Sequence, residues 1–195
     1  MPAPKILVVP GSAGSGADDA RLAALAVKEL TLADAEVTRL SLTDYPMPLY
    51  DPDVEAVSGP PPNAVKLKRM IAGHQGVFLT TPELNASIPP LVKNTIDWVS
   101  RVRERGDSPH GVYRGRVFAL GSATRDSLGG VRALMALRQV LEIGCGALVL
   151  PEQIAVAAAD QAFDDMDDLK DPQNAELLRA IARRLVDLSW ERLGA

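Results

Sequence analysis

The stretch Gly76-Val77-Phe78-Leu79-Thr80-Thr81-Pro82-Glu83-Leu84-Asn85-Ala86-Ser87-Ile88-Pro89-Pro90-Leu91-Val92-Lys93-Asn94-Thr95-Ile96-Asp97-Trp98 joins an apolar run to an amphipathic one through a polar turn framed by prolines. The run from Gly76 to Thr80 is short and apolar, as a strand covered on both faces requires. Pro89-Pro90 opens a helix, where a missing amide donor costs nothing. That helix carries Leu91, Thr95 and Trp98 on one stripe and Val92, Ile96 and Val99 on the next. A strand, a tight connection and a helix in that order form the repeating unit of a parallel sheet.

The unit recurs on both sides. Lys5 to Pro10 reads as a buried strand, Gly11 to Asp18 as a glycine-serine turn, and Asp19 to Leu30 as a helix with Leu22, Leu25, Ala26 and Leu30 on one face. Glu36 to Leu42 alternates as a second, more exposed strand. Pro46 to Pro62 is a proline-rich excursion anchored by Leu49, Tyr50 and Val54, and a helix from Asn63 to about Gly73 leads into the Gly76 strand. Downstream, Gly106 to Gly115 reads as a loop, Arg116 to Gly121 as a fourth strand, Ser122 to Leu128 as a polar loop and Gly129 to Glu142 as a helix. Ala147 to Pro151 is a fifth strand with Ile154 to Ala158 as an extension after a break, Asp164 to Asp171 an aspartate-rich surface loop, and Pro172 to Leu193 the closing helix. Five strands alternating with helices predict one α/β domain over residues 1–195. The predicted architecture is a three-layer α/β/α sandwich on a parallel sheet of flavodoxin-like order 2-1-3-4-5.

In such sheets ligands bind at the carboxyl ends of the strands, beside the point where the strand order reverses. Three loops meet there: Gly11 to Asp19, Pro82 to Pro90 and Ser122 to Gly130. They are the loops richest in glycine, serine and other polar residues, so topology and composition indicate one site.

Composition narrows the partners. With 195 residues, 47% of them hydrophobic and a net charge of -4, the chain suits one globular core and lacks the basic footprint of a nucleic-acid binder. No basic amphipathic segment suggests a membrane surface. The apolar run Ile6 to Val9 is too short for a signal-peptide core, so a cytoplasmic location is expected. Small molecules or other protein chains remain as partners. The single cysteine, Cys145, excludes an internal disulfide and reads as a packed side chain, because no cation adjoins it to stabilise a thiolate. His74 and His110 show no metal-ligand spacing and read as surface residues, and no G-x-S-x-G elbow supports a serine hydrolase.

Residues Gly11-Ser12-Ala13-Gly14-Ser15-Gly16 are small enough for backbone amides to approach an anion at a helix start. They have P-loop spacing, but Ala17-Asp18 stands where a P-loop needs Lys and Ser or Thr, so an NTPase is disfavoured. One of Asp18 and Asp19 is expected to cap the helix. In the second loop Pro82 stiffens the turn, and the backbone of Glu83, Leu84 and Asn85 can present donors and acceptors to a planar ring. Glu83, a carboxylate without a partner in sequence, reads as a turn hydrogen-bonder, and Lys93 and Asp97 as an i, i+4 surface pair.

The second loop and its helix resemble the TPEYN-x-S-x-PG-x-LKN-x-x-DW signature of the NADPH-dependent FMN reductase family, with Leu84 in place of tyrosine and Pro90 in place of glycine. The first loop is similar to the family's GS-x-R-x-x-S-x-N. It keeps Gly11 and Ser12 but offers Gly14, Ala17 and Asp19 for the arginine, serine and asparagine. The third resembles S-x-G-x-x-GG-x-RA-x-x-x-LR through Ser122, Gly129, Gly130, Arg132 and Arg138. The resemblance, which runs from Lys5 to about Pro151, implies FMN as cofactor and NADPH or NADH as reductant. It also implies a quinone, flavin or similar small electron acceptor.

The FMN phosphate is then expected on Gly11, Ser12, Gly14, Ser15 and Asp19, and the ring against Pro82, Glu83, Leu84, Asn85 and Ser87. Ser122, Gly129 and Gly130 are expected to let the third loop approach the flavin. The chemistry resides in the flavin, so no catalytic side chain is expected. Arg125 lies in the loop's extra length and can lean toward the cofactor or a nicotinamide phosphate, while Arg132 and Arg138 pair with carboxylates. The resemblance further implies a homodimer or homotetramer with Trp98 and Arg101 near the contact. Losing the phosphate arginine removes about 1.5 to 3 kcal/mol, or one to two orders of magnitude in affinity. The rival expectation is therefore a flavodoxin-like binding or structural protein with weak or lost FMN affinity.

Overall fold

The computed structural model describes residues 2–14 and 16–193. Its strands are β1 (Lys5–Pro10), β2 (Glu36–Arg39), β3 (Gly76–Thr81), β4 (Val117–Ala123) and β5 (Leu148–Val156), all parallel in the order β2-β1-β3-β4-β5. This is the predicted order. β1 sits between β2 and β3, so the chain reverses its direction of travel across the sheet at that point.

Alternation along each strand divides the core into two layers. Ile6, Val8, Phe78, Val117 and Ala119 face helices α1 (Asp18–Leu32) and α8 (Pro172–Leu193), which contribute Leu22, Leu30, Ile181 and Leu185. Leu7, Val9, Val77, Leu79, Phe118 and Leu120 face the opposite layer. There α3 (Pro62–Ala72), α4 (Pro90–Arg101) and α6 (Val131–Gln139) supply Leu67, Val92, Ile96, Leu134 and Leu137. Both faces of the central strands are therefore buried, which explains their unbroken apolar sequence.

Several boundaries differ from the sequence reading. β2 ends at Arg39, and Leu42–Asp44 form a short 3-10 turn instead of continuing the strand, because Leu40 and Leu42 fold into the second core layer. β4 continues to Ala123, which moves Ser122 from the third loop into a fully buried strand. β5 is one strand across its break: Leu150, Pro151 and Glu152 bulge opposite Ala119, with pairing resumed at Leu120 and Gln153. Proline cannot donate to the ladder, and Arg138 braces the bulge by donating to the Leu150 carbonyl at 2.7 Å and to Gln153 Oε1 at 3.2 Å. Arg138 also pairs with Glu142, as expected of a structural arginine. The helix of α6 ends at Gln139 and passes into a wider π-type turn over Val140–Gly144.

Three short helices were not legible: α2 (Pro52–Ser58), α5 (Gly111–Arg114) and α7 (Ala159–Ala162). The proline-rich excursion contains α2, capped by the Asp51 carboxylate accepting from the Asp53 amide at 2.8 Å. It is held by α4. Asn94 accepts from the Tyr50 amide at 2.7 Å and donates to the Pro48 carbonyl at 2.9 Å, Trp98 Nε1 donates to the same carbonyl at 2.8 Å, and Arg101 pairs with Glu55. Trp98 is wholly buried with Tyr50 edge-on to its ring, so its role within the chain is to anchor this excursion. His74, expected at the surface, is buried, and its Nδ1 donates to the Met70 carbonyl at 2.6 Å. Cys145 is packed into the core as expected, and burial pushes its thiol up to about 11.

Candidate functional site

The first loop leaves β1 through Gly11, and its close passage explains the glycine: a Cβ there would stand 2.7 Å from both the Thr80 carbonyl and a Val92 methyl. Neither aspartate caps α1. Ala17 occupies the capping position without a side-chain bond, and Asp19 lies fully buried within the first turn. Its Oδ2 accepts from the Gly11 amide at 3.1 Å and the Ser12 amide at 3.2 Å, and the Thr80 hydroxyl donates to its backbone carbonyl at 2.9 Å. Asp19 thus ties the loop to β3. Burial pushes its carboxyl above the ordinary range, opposed by the Ser12 hydroxyl, the Ser12 and Gly11 amides and the Thr80 hydroxyl, and its Oδ1 has no partner among the described residues. Asp18 is met by Arg125, whose Nε lies 3.3 Å from its Oδ2. Arg125 therefore crosses from the third loop to the first.

The second loop is a two-residue hairpin. Leu84 and Ser87 exchange backbone hydrogen bonds at 2.9 and 3.0 Å, with Asn85 and Ala86 at φ of 49° and 62°. Positive φ at both central residues is the requirement of a type I′ turn, which asparagine tolerates and alanine does not favour. The Leu84 amide is consequently taken, while those of Glu83 and Asn85 have no partner among the described residues. The Glu83 side chain is only 3% exposed. It accepts from Arg132 Nε at 2.6 Å and from the Ala133 amide at 3.2 Å, clasping the second loop to the start of α6. It therefore bonds across to another element instead of within its own turn. Lys93 and Asp97 form the expected pair at 2.8 Å.

In the third loop Gly129 and Gly130 have φ of 62° and 82°. A Cβ on Gly129 would stand 2.8 Å from the Ala157 amide nitrogen, and one on Gly130 would overlap Ser122 Oγ. Ser122 Oγ and Thr124 Oγ1 are buried without partners among the described residues. The fold requires the two glycines for packing on β4 and on the end of β5.

Two clefts flank the first loop and share Ser12 and Ala13. An apolar one of about 330 Å³ lies between the first and second loops, walled by Gly11, Pro82, Leu84, Pro89, Pro90 and Leu91. A polar one of about 490 Å³ lies on the other side, lined by Gly14, Gly16, Arg39, Ser41 and Thr43. The site residues read from sequence thus divide by position. Gly11, Ser12, Gly14, Pro82 and Leu84 line the clefts, while Asn85 and Ser87 form the exposed hairpin. Asp19, Glu83, Ser122, Gly129 and Gly130 stand behind as supports, and Ser15 lies outside the described residues. Sequence reading missed Arg39, Ser41 and Thr43: the first two showed only alternation in an exposed strand, and Thr43 lies beyond that strand's expected end.

A flavin mononucleotide fits this arrangement. The apolar cleft suits a planar ring, and the Glu83 and Asn85 amides provide free donors at the second loop. The polar cleft, lined by Arg39 and the Ser41 and Thr43 hydroxyls, suits a phosphorylated tail.

Residues 4–161 match the sequence profile of the family described as NADPH-dependent FMN reductase. A quinone reductase of Escherichia coli is 34% identical over 121 residues, 62% of this chain and 60% of that one. This chain thus matches about three-fifths of the length of that relative. A quinone reductase of Pseudomonas putida is 31% identical over 178 residues, covering 89% of this chain and 87% of the other. Among solved structures, the flavoenzyme NAD(P)H:(acceptor) oxidoreductase of Paracoccus denitrificans superposes with a TM-score of 0.74 at 25% identity, covering 97% of this chain and 98% of that chain. No helix among the described residues is long and apolar enough to cross a membrane.

Proposed function

The chain belongs to the NADPH-dependent FMN reductase family, and from this we propose that it is an FMN-dependent oxidoreductase that takes hydride from NADPH or NADH and reduces a quinone, flavin or similar small acceptor. The observation that carries the reading is the pair of clefts meeting at Ser12 and Ala13, at the carboxyl ends of the strands where the sheet order reverses. Bound FMN supplies the redox chemistry, accepting hydride at its ring and passing electrons onward. The protein's residues bind and orient.

Pro82, Pro89 and Pro90 make a stiff wall without amide donors, and Leu84, half exposed, gives an aliphatic lining to the cleft's open side. Among the described residues no aromatic side chain lines this cleft. Glu83 is held by Arg132 and the α6 amide, which commits its carboxylate to positioning the loop. The supports behind the loops, Asp19, Glu83 and the Gly129-Gly130 pair, fix the spacing of the clefts.

The rival, a binding protein of weak flavin affinity, is not favoured by the family match; its motive is that the buried Asp19 carboxylate already occupies the first two amides of the phosphate loop. Titrating the purified protein with FMN, following flavin absorbance and fluorescence, decides between them. The expected result is a yellow protein that oxidises NADPH or NADH with a quinone, azo dye, chromate or free flavin. Protein that leaves flavin fluorescence unchanged and turns over no nicotinamide overturns the reading. The reading includes a homodimer or homotetramer, supported by the exposed Leu49 and Val57 on the excursion and checked by light scattering.

A further inference from the structure

The phosphate loop has a problem that its own residues do not solve. The family's arginine position is Gly14, which is exposed and has no heavy atom within 4 Å of where a Cβ would stand, so nothing in the fold demands a glycine there. The Gly11 and Ser12 amides donate to Asp19, whose carboxylate would repel an arriving phosphate. Arg125 is engaged with Asp18. A phosphate ester on this loop needs a cation from elsewhere.

Arg39 ends β2, is exposed, and lines the polar cleft together with Ser12 and Gly14. Among the described residues it has no carboxylate partner, and its one hydrogen bond is a long one, Nη2 to the Ala20 carbonyl at 3.3 Å. One further observation belongs to the same cleft: the Ser41 and Thr43 hydroxyls, both in its lining, bond to each other at 2.7 Å, an arrangement that leaves one of the two protons free among the described residues. A guanidinium with its fork unspent and hydroxyl donors around an open volume are the components of a phosphate site.

We infer that the polar cleft binds a phosphate monoester, with Arg39 as its counter-charge in place of the missing loop arginine. The inference rests on the flavin reading above and names the group that completes it. Two phosphate monoesters come with that reading, the 5′-phosphate of FMN and the 2′-phosphate of NADPH, and the same variant separates them.

The test compares the parent with Arg39→Gln and Arg39→Lys. Dissociation constants for FMN and riboflavin are read from flavin fluorescence, and KM values for NADPH and NADH from steady-state turnover; circular dichroism confirms folding. If the cleft holds the FMN phosphate, Arg39→Gln weakens FMN about 10- to 100-fold, leaves riboflavin unchanged, and Arg39→Lys recovers part of the loss. If it holds the NADPH phosphate, the KM for NADPH rises while that for NADH and both flavin affinities hold. A folded Arg39→Gln with all four constants unchanged, or with FMN and riboflavin weakened in parallel, overturns the inference and leaves the flavin reading standing. A parent that binds neither flavin overturns both.

Discussion

Replacing Glu83 with alanine tests how the flavin loop is held. The side chain performs two tasks from one buried position. It accepts from the Ala133 amide at the start of α6, where Gly130 occupies the capping position and has no side chain to offer, and it pairs with Arg132, which is about half exposed. A lost helix cap costs about 1 kcal/mol and the favourable helix dipole a few tenths more. The arginine contact, discounted for exposure, adds about 0.5 to 1 kcal/mol. Together Glu83→Ala is expected to destabilise the chain by about 2 kcal/mol, a drop in Tm of about 4 to 8 °C for a domain of this size. Glu83→Gln keeps an acceptor and is expected to lose about 1 kcal/mol. Urea denaturation gives the difference, and a double-mutant cycle with Arg132→Gln isolates the pair, with an expected coupling of about 0.5 to 1 kcal/mol. If Glu83→Ala unfolds within 0.5 kcal/mol of the parent, the clasp contributes nothing and the reasoning fails.

Three further outcomes follow from the same geometry. Because burial raises the Asp19 carboxyl, the native chain holds that proton more tightly than the unfolded chain. This contribution is complete at low pH, declines as pH climbs from about 4 through the raised native value, and then levels off; urea midpoints across pH 4 to 8 should show the decline in the parent and lose it in Asp19→Asn, and parallel profiles would contradict it. Ala86→Gly relieves a left-handed backbone and should raise stability by about 0.5 to 1 kcal/mol, seen as a Tm gain of about 1 to 4 °C, whereas a lower Tm would show the turn to be unstrained. Asn94→Ala removes both hydrogen bonds to the excursion and should cost about 1 to 2 kcal/mol, with faster hydrogen exchange confined to residues 46–62; uniform exchange changes would deny that anchoring role.

The sheet was legible because its strands are buried on both faces, which leaves short apolar runs between helices, and because parallel order fixes where loops meet. Chain ends of elements were less so. Ser122 looked like loop because serine is polar, yet the strand continues through it, with Gly130 packed so closely that no side chain fits beside its hydroxyl. The Asp19 partnership is equally invisible in sequence, since it joins a helix turn to amides 7 and 8 residues earlier. Arg39 comes to the cleft only because β2 lies beside β1 at the sheet edge. Residues that act through their neighbours in sequence were readable, whereas those that act through the sheet order required the fold.

The burial of Cys145 also makes it a chemical clock for unfolding. With its thiol pushed up to about 11, only about one molecule in ten thousand carries a thiolate there at pH 7, and the sulfur is covered as well. Alkylation must therefore wait for the second core layer to open. The labelling rate of this one site, followed by mass under native conditions, reads the opening frequency of that layer directly, and flavin binding should slow it in proportion to the affinity gained.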